Sequence, residues 1–250
     1  MPAAVRTREQ EAYAALDRVL DPELDEPVTS LGFVRSLTVS AGPSAVVEVH
    51  LRLPTSFCSP SFAYLMASDA KDALATLRWV DRVVVELDDH HDSAVINAGL
   101  AADAGYRGTF PHEAETSLDE LRATFRRKAH TAAVERCLTR LLRARPTLSE
   151  EALGEVMLGD LPDDEHTAAL RRRRAEVGLP DRADERVLVD HLGRQPADVP
   201  LALRRARSTR ISIEGNAHFC RGLLATRYPG DPGYRPEPAF VPLSELKEHV

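Results

Sequence analysis

Cysteine is scarce in this chain, with three in 250 residues, at Cys58, Cys137 and Cys220. An odd and widely spaced set builds no disulfide framework. It also supplies too few thiolates for a permanently held iron–sulfur cluster, which normally takes four ligands. Reduced thiols and a cytoplasmic location are the expectation. Aromatic residues are sparse at 5%, so the interior is expected to rely on small-residue helix packing. No apolar run approaches the roughly 20 residues of a membrane-spanning helix, and the polar first ten residues lack the apolar core of a signal peptide. Positive charge is outweighed, 32 Lys and Arg against 39 Asp and Glu, for a net charge of −7. That balance speaks against a general nucleic-acid binder, which needs net or clustered positive charge. Also missing are a phosphate-cradling Gly-rich loop ending in Lys-Ser/Thr, Gly-x-Gly-x-x-Gly, Gly-x-Ser-x-Gly and His-Glu-x-x-His.

What is present reads as a soluble globular chain, with 43% hydrophobic and 28% charged residues. Residues 7–20 predict a first helix, since Ala12, Ala15, Leu16, Val19 and Leu20 recur at helical spacing. Asp21-Pro22-Glu23 ends it, because proline disfavours the helical conformation of the residue before it. Residues 33–40 predict a strand, Ala41-Gly42-Pro43-Ser44 a turn, and residues 45–53 a second strand. In that second strand Val47, Val49, Leu51 and Leu53 alternate with Glu48, His50 and Arg52. The short link makes the two an antiparallel hairpin. Phe62, Leu65, Met66, Ala70, Ala73, Leu74 and Leu77 mark an amphipathic helix, and residues 79–87 a third strand. The fold class expected is α+β: a small two-layer N-terminal domain over residues 8–90, then a mainly helical extension over 91–228 and an extended tail over 229–250.

Within the extension, residues 93–104 predict a short helix and 105–115 a loop. Residues 117–145 predict the longest helix, with Ser117 and Glu120 in capping-box spacing. Shorter helices are expected at 149–157 and 163–177. Beyond them come a short strand at 186–192, a helical turn at 200–207, a strand at 210–213 and a helix at 216–226. The polar run Asp88-Asp89-His90-His91-Asp92 reads as a solvated linker, with His90 or His91 near Cys58 if the third strand ends beside that loop, and Arg171-Arg172-Arg173-Arg174 reads as a solvated helix face balanced by nearby acids. The second basic series, Arg204, Arg205, Arg207 and Arg210, leaves a solvated face and a docking surface for an acidic protein both open.

Chemistry concentrates in Leu53-Pro54-Thr55-Ser56-Phe57-Cys58-Ser59-Pro60-Ser61, between a strand end and a helix start. Free N–H groups and the positive end of a helix dipole there favour a thiolate, a soft ligand for iron and other thiophilic metals. Thr55, Ser56 and Ser59 can donate hydrogen bonds to such a sulfur. The competing reading makes Cys58 a small buried hydrophobe. Cys137, inside the long helix, reads as core. His218 and Cys220, two apart, are weaker candidates as additional ligands, because side chains at that spacing diverge on a helix.

The order of elements, with Asp21-Pro22-Glu23, Leu31-Gly32-Phe33-Val34 and the Cys58 loop, resembles the metal–sulfur cluster assembly family of PaaD-like and SufT-like proteins, over about residues 8–88. The resemblance implies help in building or transferring iron–sulfur clusters, or in maturing an iron-dependent enzyme such as a bacterial monooxygenase. It assigns Asp21, Glu23, Thr55 and Cys58 to the site. It also implies a cluster or iron bound in passing rather than permanently, and no catalytic residues. Implied partners are a client metalloenzyme or other assembly proteins, or a second copy in a homodimer, with no nucleic acid and no membrane. A metal-free folding or assembly adaptor is the alternative. A cysteine-dependent enzyme is another, and it requires His50, His90, His91 or another histidine as a base at the thiol.

Overall fold

The computed structural model describes residues 7–111 and 118–230. Ser117 of the expected capping box and the tail from 231 lie outside the described residues. The chain divides into two compact units: residues 1–115 with 217–250, and residues 116–216.

Unit 1 starts with α1 (Arg8–Leu16), whose Thr7 cap and Gln10 exchange side-chain and backbone hydrogen bonds. The helix stops short of the expected Leu20 because the chain there pairs with a later segment. Leu20 bridges Pro27, and the Val28 N–H donates to the Val19 carbonyl. Gly32 then takes φ 75°, a left-handed turn that glycine adopts without strain. It leads into β1 (Val34–Val39).

β1 runs antiparallel to β2 (Ala45–Arg52), as the short link requires. From β2 the chain passes through α2 (Pro60–Ala75) to β3 (Val80–Asp88), which lies parallel to β2, giving the order β1-β2-β3. The crossover helix is what permits the parallel pairing. Along β2 the alternation holds as far as Leu51: Ala45, Val47, Val49 and Leu51 are buried at 0–1% exposure, while Glu48 is exposed; Arg52, expected on the polar face, is buried. Their apolar face joins that of α1 (Ala12, Ala15, Leu16) and α2 (Leu65, Met66, Ala70, Leu74) in the buried core. Each fully buried aliphatic side chain contributes about 1.5–3 kcal/mol. This is the two-layer α+β arrangement that the sequence predicts.

α3 (Ser93–Ala101) follows β3. The stretch expected as a loop after it contains a further short helix, α4 (Gly105–Thr109), in which Tyr106, with Phe110 just beyond, stacks around Tyr64 of α2.

Unit 2 is built on α5 (Leu118–Ala144) and α6 (Glu165–Glu176), joined through two short 3-10 turns, Glu151–Glu155 and Leu158–Asp160. Its core gathers Val134, Leu138, Leu153, Leu158, Leu170 and Val187. Cys137 is part of it, at 4% exposure. Among the described residues 186–192 form no strand; Arg186 makes an isolated bridge to Met157.

The largest departure from expectation is α7 (Val199–Arg227), one continuous helix where a turn, a strand and a separate helix were expected. Leu203, Ala206, Ile213, Ala217 and Leu224 are buried along it at helical spacing. Residues 199–216 of α7 belong to unit 2 and 217–227 to unit 1. The arginine run of α6 is not a solvated face throughout. Arg174 is 1% exposed and donates to the carbonyls of Pro180 and Arg186 (both 3.0 Å). The mainly helical C-terminal region is as the sequence predicts. No described helix is long and apolar enough to cross a membrane.

Candidate functional site

β2 ends at Arg52, and Pro60 occupies the first turn of α2, where its missing N–H costs nothing. Between them the chain makes a short turn, buried at Leu53 and Pro54 and tipped by Phe57, which is 82% exposed. Cys58 follows it and is half-buried. The Thr55 hydroxyl lies 3.6 Å from the Cys58 sulfur and accepts from the Phe57 N–H at 3.2 Å. That pair of contacts fixes Thr55 as a neighbour of the thiol. Ser59 caps α2 through its backbone, its carbonyl accepting from Phe62 and Ala63. Its hydroxyl pairs with that of Ser61 at 2.8 Å, so it is engaged away from the sulfur.

The polar run at the end of β3 is a wall of this loop rather than a solvated linker. The His90 Nδ1 accepts from the Asp92 N–H (3.1 Å), which leaves Nε2–H to donate to the Cys58 carbonyl (2.9 Å). The His91 N–H donates to the Ser56 carbonyl (2.9 Å), and its ring faces Phe57. Both nitrogens of His90 are therefore committed to the backbone. His50 lies between Asp88 (3.0 Å) and Glu48 (3.2 Å); the Asp88 hydrogen bond, aided by Glu48, raises its pKa against the opposing effect of burial. Among the described residues no histidine hydrogen-bonds to the Cys58 sulfur, so the general base that covalent cysteine catalysis requires is not in place.

Asp21 sits in the turn after α1 and is 7% exposed. Its Oδ1 accepts from the N–H groups of Glu23 (2.8 Å) and Leu24 (2.9 Å), closing the Asp-Pro-Glu turn. Asp21 thus holds the backbone of its own turn. Burial raises its carboxyl from 3.8 to about 6, against the pull of those two N–H groups and with a small push from Glu23 and Glu26. A raised carboxyl favours the fold fully below 3.8, and that contribution is lost as pH rises through about 6. The difference is worth about 3 kcal/mol. Asp21→Asn keeps the Oδ1 acceptor and cannot ionise. Its melting temperature should therefore gain on wild type between pH 4.5 and pH 7.5. A gap that stays constant across that range would show that the carboxyl does not titrate there.

The last turns of α7, with Tyr228 just beyond, supply residues that no local sequence signal places here. Arg227 donates to the Leu53 carbonyl (3.1 Å), to the Ser56 hydroxyl (2.7 Å) and to the Asp89 carbonyl. The Tyr228 hydroxyl donates to the Asp89 carboxylate (3.0 Å), and the Arg52 guanidinium stacks 4.7 Å over the Tyr228 ring. Arg221 pairs with Glu26 of the Asp21 turn. Cys220, next to it, is half-buried. Burial, and then the charges of Asp21, Cys58 and Glu23, push its thiol up to about 11. His218 is on the exposed side of the same helix, as the two-residue spacing implies.

The structure thus holds Thr55 at the Cys58 sulfur and Ser56 under Arg227, closes the Asp21 turn on Glu23, places Cys220 within electrostatic reach of Asp21, Cys58 and Glu23, and leaves His218 exposed. Among the described residues no three of His, Cys, Asp and Glu are arranged to hold a metal ion. No curated protein and no solved structure matches the chain. Residues 9–87, which carry the Asp21 turn, the Leu31-Gly32 turn and the Cys58 loop, match the family model described as iron-sulfur cluster assembly protein, and over that stretch the chain carries the domain of that family.

Proposed function

We propose that this protein is an accessory factor in iron–sulfur cluster assembly, and that Cys58 is the residue through which it holds its cargo in passing. The family match supports a role in cluster assembly in general. The observation that carries the finer reading is Cys58 itself. It is a half-buried thiol in a loop braced from three sides, with Thr55 at the sulfur and no complete ligand set around it. A cluster or iron ion is here substrate rather than resident cofactor. A thiolate binds it as a soft ligand, and a client metalloenzyme or another assembly protein completes the coordination and takes it over by ligand exchange. Thr55 and Ser56 orient the loop, and Asp21 and Glu23 shape the turn beside it. A bacterial monooxygenase is the client type that the sequence resemblance suggests, and pairing with a second copy is a further route to a complete ligand set.

Anaerobic reconstitution with iron and sulfide, followed by absorption spectroscopy of wild type and Cys58→Ser, tests this reading. Wild type should acquire sulfur-to-iron charge-transfer absorption that the variant lacks or holds far more weakly. Identical spectra would remove Cys58 from cargo binding. Client activation that survives Cys58→Ser unchanged would favour the metal-free adaptor instead.

A further inference from the structure

We propose that Arg227, at the end of α7, is a positioning residue of the cargo site: it holds the Cys58 loop and the turn after β3 in the arrangement that presents the Cys58 sulfur. The proposal rests on the reading of Cys58 as a cargo ligand and adds to it a residue outside the family-matched stretch. The need for such a residue begins at Pro54. Proline has no N–H and cannot extend the ladder of β2, which ends at Arg52. The carbonyl of Leu53, a residue only 2% exposed, must therefore find a donor elsewhere in the fold. Arg227 supplies it through Nη1 (3.1 Å).

Through Nη2 the same guanidinium donates to the Ser56 hydroxyl (2.7 Å) and to the Asp89 carbonyl. Asp89 lies just past β3 with φ 54°, a left-handed conformation that most side chains resist and aspartate tolerates better. The Tyr228 hydroxyl holds its carboxylate (3.0 Å). Beyond that turn, His90 donates to the Cys58 carbonyl and the His91 N–H to the Ser56 carbonyl (both 2.9 Å). Arg227 thus joins two segments that also bond to each other. Thr55, whose hydroxyl is 3.6 Å from the sulfur, lies between the two loop residues that Arg227 holds. All three acceptors are neutral, and among the described residues no carboxylate pairs with Arg227. The arrangement therefore uses the planar fork of the guanidinium rather than its charge, and the single ammonium of lysine does not reproduce that fork.

The test reconstitutes the full-length chain anaerobically with iron, sulfide and glutathione, whose thiols fill the positions that the protein leaves open. Excess ethylenediaminetetraacetate is then added, and the sulfur-to-iron absorption is followed in time. Arg227→Ala and Arg227→Lys should each lose that absorption at least about tenfold faster than wild type, in line with the roughly 10–100-fold cost of changing groups that orient metal ligands. Millimolar methylguanidinium should slow the loss in Arg227→Ala back toward the wild-type rate, a rescue that a variant damaged only in its fold does not show. If Arg227→Ala decays as wild type does while Cys58→Ser acquires no absorption, the positioning role is overturned and the Cys58 reading stands. If Cys58→Ser behaves as wild type, both fail. Wild-type decay in Arg227→Lys, or no effect of methylguanidinium on an Arg227→Ala chain that melts as wild type does, also overturns the positioning role, because the fork is then not what holds the loop. Should Arg227→Ala be destabilised in circular dichroism melting, Arg227→Gln, which keeps an N–H donor, carries the same comparison of decay rates.

Discussion

Replacing Glu135 with alanine should lower the stability of unit 2 by about 3–5 kcal/mol, the usual cost of removing one member of a buried ionic network. Glu135 is fully buried on α5. Its carboxylate accepts from Thr139 (2.8 Å), from Arg207 (3.1 Å) and from Arg210, the last two on α7. Burial alone would raise its pKa, but the hydrogen bonds from Thr139, Arg210 and Arg207 outweigh that, and the carboxyl is held below its ordinary value. The alanine variant leaves Arg210, whose side chain is only 19% exposed, without its buried partner, though Glu214 still holds it from the surface side (2.5 Å). Arg207, at 42% exposure, can turn to water, so most of the loss comes from Arg210 and from the cavity.

Cys137 provides the readout. It is buried beside the network's helix face, and burial pushes its thiol up to about 11, so it reacts only when unit 2 opens. With Cys58 and Cys220 both changed to serine, labelling of Cys137 by an aromatic disulfide reagent should accelerate in Glu135→Ala by about two orders of magnitude or more. Changing Glu135, Arg207 and Arg210 together to leucine or methionine should recover most of the loss, because no charge is then stranded. An unchanged labelling rate in Glu135→Ala would mean that the network is not a fixture of the folded unit.

The same network explains why α7 was illegible as one helix. Arg210-Ile211-Ser212-Ile213 alternates like a strand, yet Ile211 is 57% exposed and Ile213 only 8%. Two residues apart on a helix point to different sides, so a period of two in so short a window can be produced by a helix with one buried face. What decides between them is Glu135, 75 residues earlier than Arg210 and invisible to a local window. β2 was legible for the opposite reason, since its alternation of valines with polar residues is long enough to exclude a helix. The Cys58 loop could be read as a strand end meeting a helix start because Pro54, Pro60 and the change of period are local signals. Its braces could not: the Arg227 guanidinium reaches Leu53 across 174 positions of sequence. That His90 could lie near Cys58 followed from where the third strand ends, but its partner there is a backbone carbonyl, which no residue pattern announces. In the same way Arg174 finds carbonyls rather than carboxylates, so the acids near it in sequence were no guide to its burial.

Acid should act on the two units in opposite directions, and His130 is the reason on one side. It sits on α5 at 1% exposure, and neither ring nitrogen has a hydrogen-bond partner among the described residues. Burial, then the charge of Arg174 and that of His191, hold its pKa down to about 4, with Asp190 opposing weakly. Because the folded value lies below the ordinary 6.5, the unfolded chain binds the proton more tightly between those values. The contribution of a neutral His130 to unit 2 is therefore complete above pH 6.5 and is lost as pH falls toward 4, by about 3 kcal/mol. Glu135, with its lowered pKa, adds a further loss as its own carboxyl protonates. Asp21 has the reverse sign in unit 1, where protonation favours the fold. His130→Phe keeps a buried ring and removes both the titration and the unpartnered nitrogens. The stability difference between variant and wild type, read from Cys137 labelling at pH 7.5 and pH 5, should grow in favour of phenylalanine at the lower value, with the Glu135 contribution common to both. A difference independent of pH would show that the ring is protonated as readily inside unit 2 as in the unfolded chain, and the neutral buried imidazole would have to be abandoned.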